Sequence, residues 1–179
     1  MTSLPRLGAS PAPIPPLFST DDAERAYEAW GCNCGPMALA AICGLTLDEA
    51  RALLPGFDAR RYTNPSMMAH ALREAGRGAR RIDPDDSFPA WGLLRIQWEG
   101  PWTQPGVPIR ARYRYTHWVG ASRRANDGAT GIFDCNQMQN GSGWTAKGNW
   151  DAFTAPWIIS HIPRASGGWH ITHAIEVER

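Results

Sequence analysis

Residues 33–44 read NCGPMALAAICG, and this stretch decides how the first half of the chain folds. Asn33 can cap a helix, Pro36 is tolerated in its first turn, and Gly44 can end it. The predicted helix places Cys34 in the first turn, where unpaired backbone N–H groups and the helix dipole favour negative charge. The sequence therefore predicts a thiol with a lowered pKa at Cys34, as a cysteine nucleophile requires.

Three further helices are predicted on either side of this one. One starts at Ser19 or Thr20 and runs to about Ala29, one is opened by the capping box Thr46–Glu49, and one runs from Asn64-Pro65 to Gly76. After Gly78 the pattern changes to period two, which is typical of strands. The predicted strands are Leu94–Trp98, Tyr113–Ala121, Ile132–Asp134 and Trp169–Val177, with long loops over 136–168 and one strand near Trp157–His161. Helices followed by strands indicate an α+β fold, in which an N-terminal helical half packs on a C-terminal antiparallel sheet.

The length and charge of the chain limit its function. The chain has 179 residues, which suits a single domain, predicted over 19–179 after a Pro-rich extended arm over 1–18. Lys and Arg number 18 against 17 Asp and Glu, so the net charge of +1 predicts neither nucleic-acid nor membrane binding. No apolar stretch reaches eighteen residues, prolines interrupt the N-terminus, and four cysteines are too few for a disulfide scaffold. These features predict a cytoplasmic protein, and they leave the oligomeric state open.

A histidine that could activate the thiol lies on the second predicted strand. A turn signal follows at residues 122–128, and a hairpin centred between residues 125 and 126 places His117 opposite Asp134. A register shift of one or two residues would bring Asn136 to that position instead. The spacing therefore predicts a His–Asp or His–Asn pair that can orient the imidazole for work on Cys34.

Several segments resemble, in order and spacing, the papain-like cysteine peptidases, and among these the bacteriocin-processing, double-glycine type. They are Asn33–Pro36, Leu45–Ala50, Asn64–Ser66, His117–Gly120 and Ile132–Asp134. The resemblance covers about residues 24–136. It implies a papain-like fold, a peptide or protein substrate, and a peptidase or amidase reaction through a thioester. It assigns Cys34 as nucleophile, His117 as general base and then acid, and Asp134 as the orienting group, without a cofactor or metal.

One position departs from the family. Six residues before the nucleophile the family usually carries a Gln that completes the oxyanion hole, and here that residue is Glu28. An ionised Glu28 would repel the developing oxyanion. Either Glu28 is protonated, or another donor such as the Cys34 N–H or Asn33 serves, or the enzyme is impaired. The alternative function is therefore a catalytically impaired scaffold that acts as a binding or assembly protein.

Other residue patterns point to rival sites. A metal site would use ligands from Cys32, Cys34, Cys43, Cys135 and His117, but their spacing matches no common zinc pattern. His170 and His173 are predicted on opposite faces of the last strand. Arginines and tyrosines alternate over 110–115, and further arginines follow the predicted helix that ends at Gly76. With a net charge of +1 this pattern favours an acidic peptide over nucleic acid.

Overall fold

The computed structural model of this chain describes residues 15–83 and 88–179, so residues 1–14 of the predicted arm lie outside the described residues. The last residue of the predicted arm belongs to the core, because Phe18 is buried and packs edge-on against Phe133 with ring centroids 6.0 Å apart.

The helices lie mainly in the first half of the chain. They are α1 Thr20–Trp30, α2 Cys34–Cys43, α3 Leu47–Ala52, α4 Phe57–Arg60, α5 Pro65–Glu74, α6 Ile109–Arg112, α7 Lys147–Asn149 and α8 Ala155–Ser160. Two 3₁₀ turns occupy Pro101–Thr103 and Cys135–Asn140, and a π-helical turn, Trp150–Thr154, joins α7 to α8.

The strands form one antiparallel sheet. They are β1 Ala79–Ile82, β2 Trp91–Trp98, β3 Thr116–Arg123, β4 Thr130–Phe133, β5 Trp144–Ala146 and β6 Trp169–Val177, in the order β1-β6-β2-β3-β4-β5. Every pairing is antiparallel. The predicted α+β class with an antiparallel sheet is confirmed.

Both faces of the sheet are covered. Helices α1, α2, α3 and α5 bury one face, and α2 contributes a run of nine consecutive buried residues to that core. Leu94, Ile96 and Trp98 of β2 face a second core, closed by Trp150 and Ala155. β2 is therefore buried along its whole length. Its side chains alternate between the two cores, so its buried positions show no period of two.

The predicted helix starts are confirmed and follow from local capping. Ser19 and Thr46 each accept a bond from the third residue of their helix and form complete capping boxes, and Asn64 accepts from the Met67 N–H. Gly44 ends α2 with φ 66°, the left-handed conformation that glycine adopts without a steric penalty.

Two of the strand predictions were wrong. The segment near Trp157–His161 is helix α8, because its apolar residues pack against the second core. The strand expected from Tyr113 begins at Thr116, since Tyr115 has φ 54°, which is incompatible with a strand. Consequently Arg110 and Arg112 lie on α6 and do not alternate along a strand. Strands β1 and β5 were not predicted.

His170 and His173 were predicted on opposite faces of β6, and the register corrects this. Arg95 pairs with His173 and Gln97 pairs with His170, because β6 carries one extra residue, Thr172, at a β-bulge. Since Arg95 and Gln97 are two residues apart on a regular strand, the bulge brings both histidines to the same face.

Within residues 15–83 and 88–179, no helix combines the length and the apolar character needed to cross a membrane.

Candidate active site

Cys34 is the first residue of α2, at the end of the helix where backbone N–H groups lack intrahelical partners. The Asn33 carbonyl accepts the Met37 N–H at 3.0 Å, which closes the first helical turn. The Asn33 side chain does not cap the helix as predicted; its amide donates to the Ala23 carbonyl of α1 at 3.4 Å. Cys34 is partly exposed and interacts with the side chains of Cys32 and His117.

His117 lies on β3 and reaches Asp134, although the predicted hairpin register was wrong by two residues. Gly120 pairs with Phe133, so the turn is centred between residues 126 and 127. A shift of two residues keeps each side chain on the same face, whereas a shift of one would have reversed it. His117 Nε2 lies 3.0 Å from Asp134 Oδ2. Both side chains are buried, so the two groups attract each other as a buried ion pair.

Asp134 has a partner at both carboxylate oxygens. Besides His117, Oδ2 accepts the Trp150 indole N–H at 2.7 Å, and Oδ1 accepts the backbone N–H and the side-chain amide of Asn136, both at 2.9 Å. Asn136, predicted as a possible substitute for Asp134, therefore holds Asp134 in place. The carboxyl is fully buried, and this cradle orients it toward His117.

The ion pair determines the protonation of the histidine. Burial alone would lower the pKa of His117, but the Asp134 charge outweighs it and raises this pKa to about 10. Burial likewise opposes ionisation of Asp134, yet the positive charge of His117 and the donors around the carboxylate lower its pKa below the ordinary value. At neutral pH the pair is an imidazolium beside a carboxylate.

The prediction of a lowered pKa at Cys34 was wrong, because a neighbouring thiol raises this pKa. The interaction with Cys32 and burial raise the pKa of Cys34 above its usual value, and His117 acts in the opposite direction. The same interaction lowers the pKa of Cys32. Of the two thiols, Cys32 therefore loses its proton first. The position of Cys34 at a helix start does not predict this order.

The three predicted supporting residues line one groove. Glu28, Asn33 and Asn136, together with Cys135, border an open groove of about 770 Å³ between α1 and the 3₁₀ turn at Cys135–Asn140. Trp157 of α8 lies on its far side. Glu28 therefore lies on the wall of a groove that also includes Asn33 and Cys135, the sequence neighbours of Cys34 and Asp134.

Comparisons of this chain with models of protein families, with curated proteins and with solved structures find no match.

One group of metal-ligating side chains is present in the part of the chain that the structure describes. Ligand atoms of His117, Asp134 and Cys135 all lie within 4.8 Å of one another. Cys43, considered as a ligand from sequence, is buried in the helical core and belongs to no such group. His117 belongs to this group and also interacts with Cys34, so the same imidazole would either bind a metal ion or activate a nucleophile.

Several residues of the site were missed by sequence reasoning. Trp150 lies in a segment predicted as loop, and nothing local distinguishes it from the other tryptophans. Cys32 precedes Cys34 by two residues, and this spacing was the one available signal for their interaction. Arg95 is 8% exposed and interacts with Cys34 although it lies on a strand that reads as apolar.

Proposed function

We propose that this chain is a papain-like cysteine peptidase or amidase that cleaves a peptide or isopeptide bond. The observation that carries the proposal is the convergence of three residue types from three elements: a cysteine at a helix N-terminus, a strand histidine beside it, and a buried aspartate ion-paired to that histidine at 3.0 Å. A thiol, an imidazole and an orienting carboxylate are the groups that covalent acyl transfer requires.

The reaction proceeds from the state in which Cys34, and not Cys32, carries the negative charge beside the His117 imidazolium. The sulfur attacks the amide carbonyl, and His117 donates its proton to the leaving amine as the thioester forms. His117, now neutral, takes a proton from a water molecule that attacks the thioester. The tetrahedral intermediate then expels the Cys34 thiolate, the carboxylic acid product leaves, and the thiolate again lies beside the His117 imidazolium. Backbone N–H groups at the start of α2 are the donors available to the oxyanion.

The test is the rate of iodoacetamide labelling against pH, read for each cysteine by peptide mass spectrometry. We expect Cys34 to react at least about tenfold faster than Cys43 near neutral pH, because Cys34 is partly exposed beside the His117 imidazolium, whereas Cys43 is buried in the helical core. In His117→Ala this selectivity should be lost. Equal rates at Cys34 and Cys43, or indifference of Cys34 to His117→Ala, would contradict the assignment of the nucleophile.

A second candidate function is the impaired scaffold, and two observations favour it. The pKa of Cys34 is raised, and a carboxylate, Glu28, occupies the position where the family places an amide donor. A scaffold would bind peptide in the groove without forming a thioester. Detection of a covalent adduct between Cys34 and a peptide aldehyde, absent in Cys34→Ser, separates the enzyme from the scaffold.

A further inference from the structure

Three buried polar atoms without a hydrogen-bond partner lie close together beside the candidate site. They are Arg95 Nε and Gln97 Oε1 on β2 and His173 Nδ1 on β6. Arg95 pairs with His173 across the sheet, and Gln97 is two residues further along β2 on the same face. Because buried polar groups in native structures are almost always hydrogen-bonded, three such atoms in one place indicate a bonding partner that the free chain does not supply.

The β-bulge at Thr172 creates this cluster. Its hydroxyl donates to the Arg95 carbonyl at 3.1 Å, and the extra residue turns His173 toward the face that Arg95 occupies. Arg95 also pairs with Trp118, the residue that follows His117 on β3. The cluster therefore lies at the level of the catalytic histidine, on the sheet face that α2 and Cys34 cover.

Arg95 is a buried cation without an anionic partner among residues 15–83 and 88–179. Its contacts are the Thr116 hydroxyl, which lies 3.3 Å from Nη2, and the ring of Tyr113, whose centroid lies 5.2 Å from Cζ. No carboxylate of the described chain lies within ion-pair distance of it. A buried guanidinium is costly unless an anion or a full set of acceptors compensates it.

Cys34 lies within electrostatic reach of this cation. A negative charge on Cys34 opposes the lowering of the Arg95 pKa that burial causes. His173, whose pKa is lowered by burial and by the charges of Arg81 and Arg95, stays neutral at pH 7. The cluster thus offers one positive charge, one neutral imidazole and one amide oxygen, and its positive charge interacts with Cys34.

We infer that Arg95, Gln97 and His173 form a subsite for a carboxylate of the substrate, close to the bond that Cys34 attacks. The guanidinium binds the carboxylate, and Gln97 and His173 are the polar neighbours of the guanidinium. The inference rests on the proposed function and narrows its substrates to peptides with a carboxylate near the scissile bond. The carboxylate belongs either to an acidic side chain or to a free C-terminus.

The first experiment compares two alkylating reagents of similar size, anionic iodoacetate and neutral iodoacetamide, at Cys34. In the native chain the ratio of the two rates should favour iodoacetate. Arg95→Gln should lower this ratio at least about fivefold, because it removes a unit charge near the sulfur in a partly desolvated site. Arg95→Lys keeps the charge and should retain most of the ratio. The control is Arg110→Gln, which removes an exposed arginine of α6 and should leave the ratio unchanged.

The second experiment needs no variant and distinguishes the two carboxylate sources. Protection of Cys34 from iodoacetamide is measured with N-acetylglutamate α-amide, N-acetylglutamine and N-acetylglutamine amide. The first carries only a side-chain carboxylate, the second only a terminal one, and the third none. Protection by either of the first two compounds, but not by the third, supports the subsite and shows whether the carboxylate comes from a side chain or from a C-terminus.

The outcomes separate this inference from the proposed function. The subsite is overturned if all three compounds protect Cys34 equally. It is also overturned if Arg95→Gln leaves the rate ratio unchanged while Cys34 remains reactive. Neither result contradicts the proposed peptidase activity. A ratio that falls in Arg95→Gln, with Cys34 indifferent to His117→Ala, supports the anion subsite and overturns the peptidase.

Discussion

Cys32 and Cys34 show how one neighbouring side chain changes the chemistry expected of a residue. The helix N-terminus and His117 both favour a thiolate at Cys34, yet the pKa of this thiol is raised. The first cause is its interaction with Cys32, and burial is the second. Ionisation of Cys34 is therefore opposed by a residue that lies just before α2.

Replacing Cys32 with Ala should release this restraint. Without the neighbouring thiol, burial is opposed only by His117 and the helix N-terminus, so the pKa of Cys34 should fall. The labelling rate of Cys34 at pH 7 should rise at least about threefold, and its pH profile should move to lower pH. Labelling followed by mass spectrometry measures both.

The matched control is Cys43→Ala, which removes a buried thiol at the far end of α2. It should leave the pH profile of Cys34 in place. A slower Cys34 in Cys32→Ala would mean that Cys32 assists the nucleophile instead of restraining it.

At the scale of elements, the position of α2 depends on a glycine in its first turn. A Cβ built on Gly35 would lie 2.7 Å from Thr63 Cγ2 and closer still to its Oγ1. Thr63 is itself buried, and its carbonyl accepts the indole N–H of Trp118 at 3.4 Å. The helix N-terminus that carries Cys34 thus packs directly on the segment before α5.

Gly35→Ala should therefore destabilise the fold by about 2 kcal/mol, the usual cost of overpacking a core. It should also slow labelling of Cys34, because the clash displaces the first turn of α2. Urea unfolding and the labelling rate report the two effects separately.

The double variant Gly35→Ala/Thr63→Ala provides the control for this prediction. Removing Oγ1 and Cγ2 of Thr63 eliminates the two closest contacts and leaves only its Cβ at 2.9 Å, so part of the stability and of the labelling rate should return. Additive losses in the double variant would show that the close approach to Thr63 is not the cause.

For the whole molecule, the buried His117–Asp134 pair links stability to pH. The pKa of His117 is raised from 6.5 to about 10, so its contribution is fully present below pH 6.5 and is lost as the pH rises through 10. The pKa of Asp134 is lowered from 3.8, so its contribution is present above that pH and is lost on further acidification. The pair stabilises the fold most between these limits.

We expect the free energy of unfolding to fall by roughly 4 kcal/mol between pH 6 and pH 10 because of this pair. Urea unfolding at several pH values measures it. The double variant His117→Gln/Asp134→Asn lacks both titrating groups and should show a flatter profile over the same range. An equally steep decline in the double variant would assign the loss to other groups.

Much of the fold follows from local signals. Ser19, Thr46 and Asn64 start their helices through side-chain bonds to residues three positions away, and such bonds need no tertiary context. The α+β class, the placement of Cys34 at a helix start and of His117 on a strand could therefore be predicted from sequence.

The arrangement around these residues depended on tertiary packing. Residues 155–160 form a helix because they close a core under the sheet, and the bulge at Thr172 places His173 beside Arg95. The pKa values of Cys34 and His117 likewise follow from Cys32 and Asp134, whose effects require burial and contact across elements. Sequence by itself determined which chemical groups the chain carries and where its helices begin. Only the tertiary structure decided which groups meet and how they are charged, because desolvation and electrostatic attraction act through space and not along the chain.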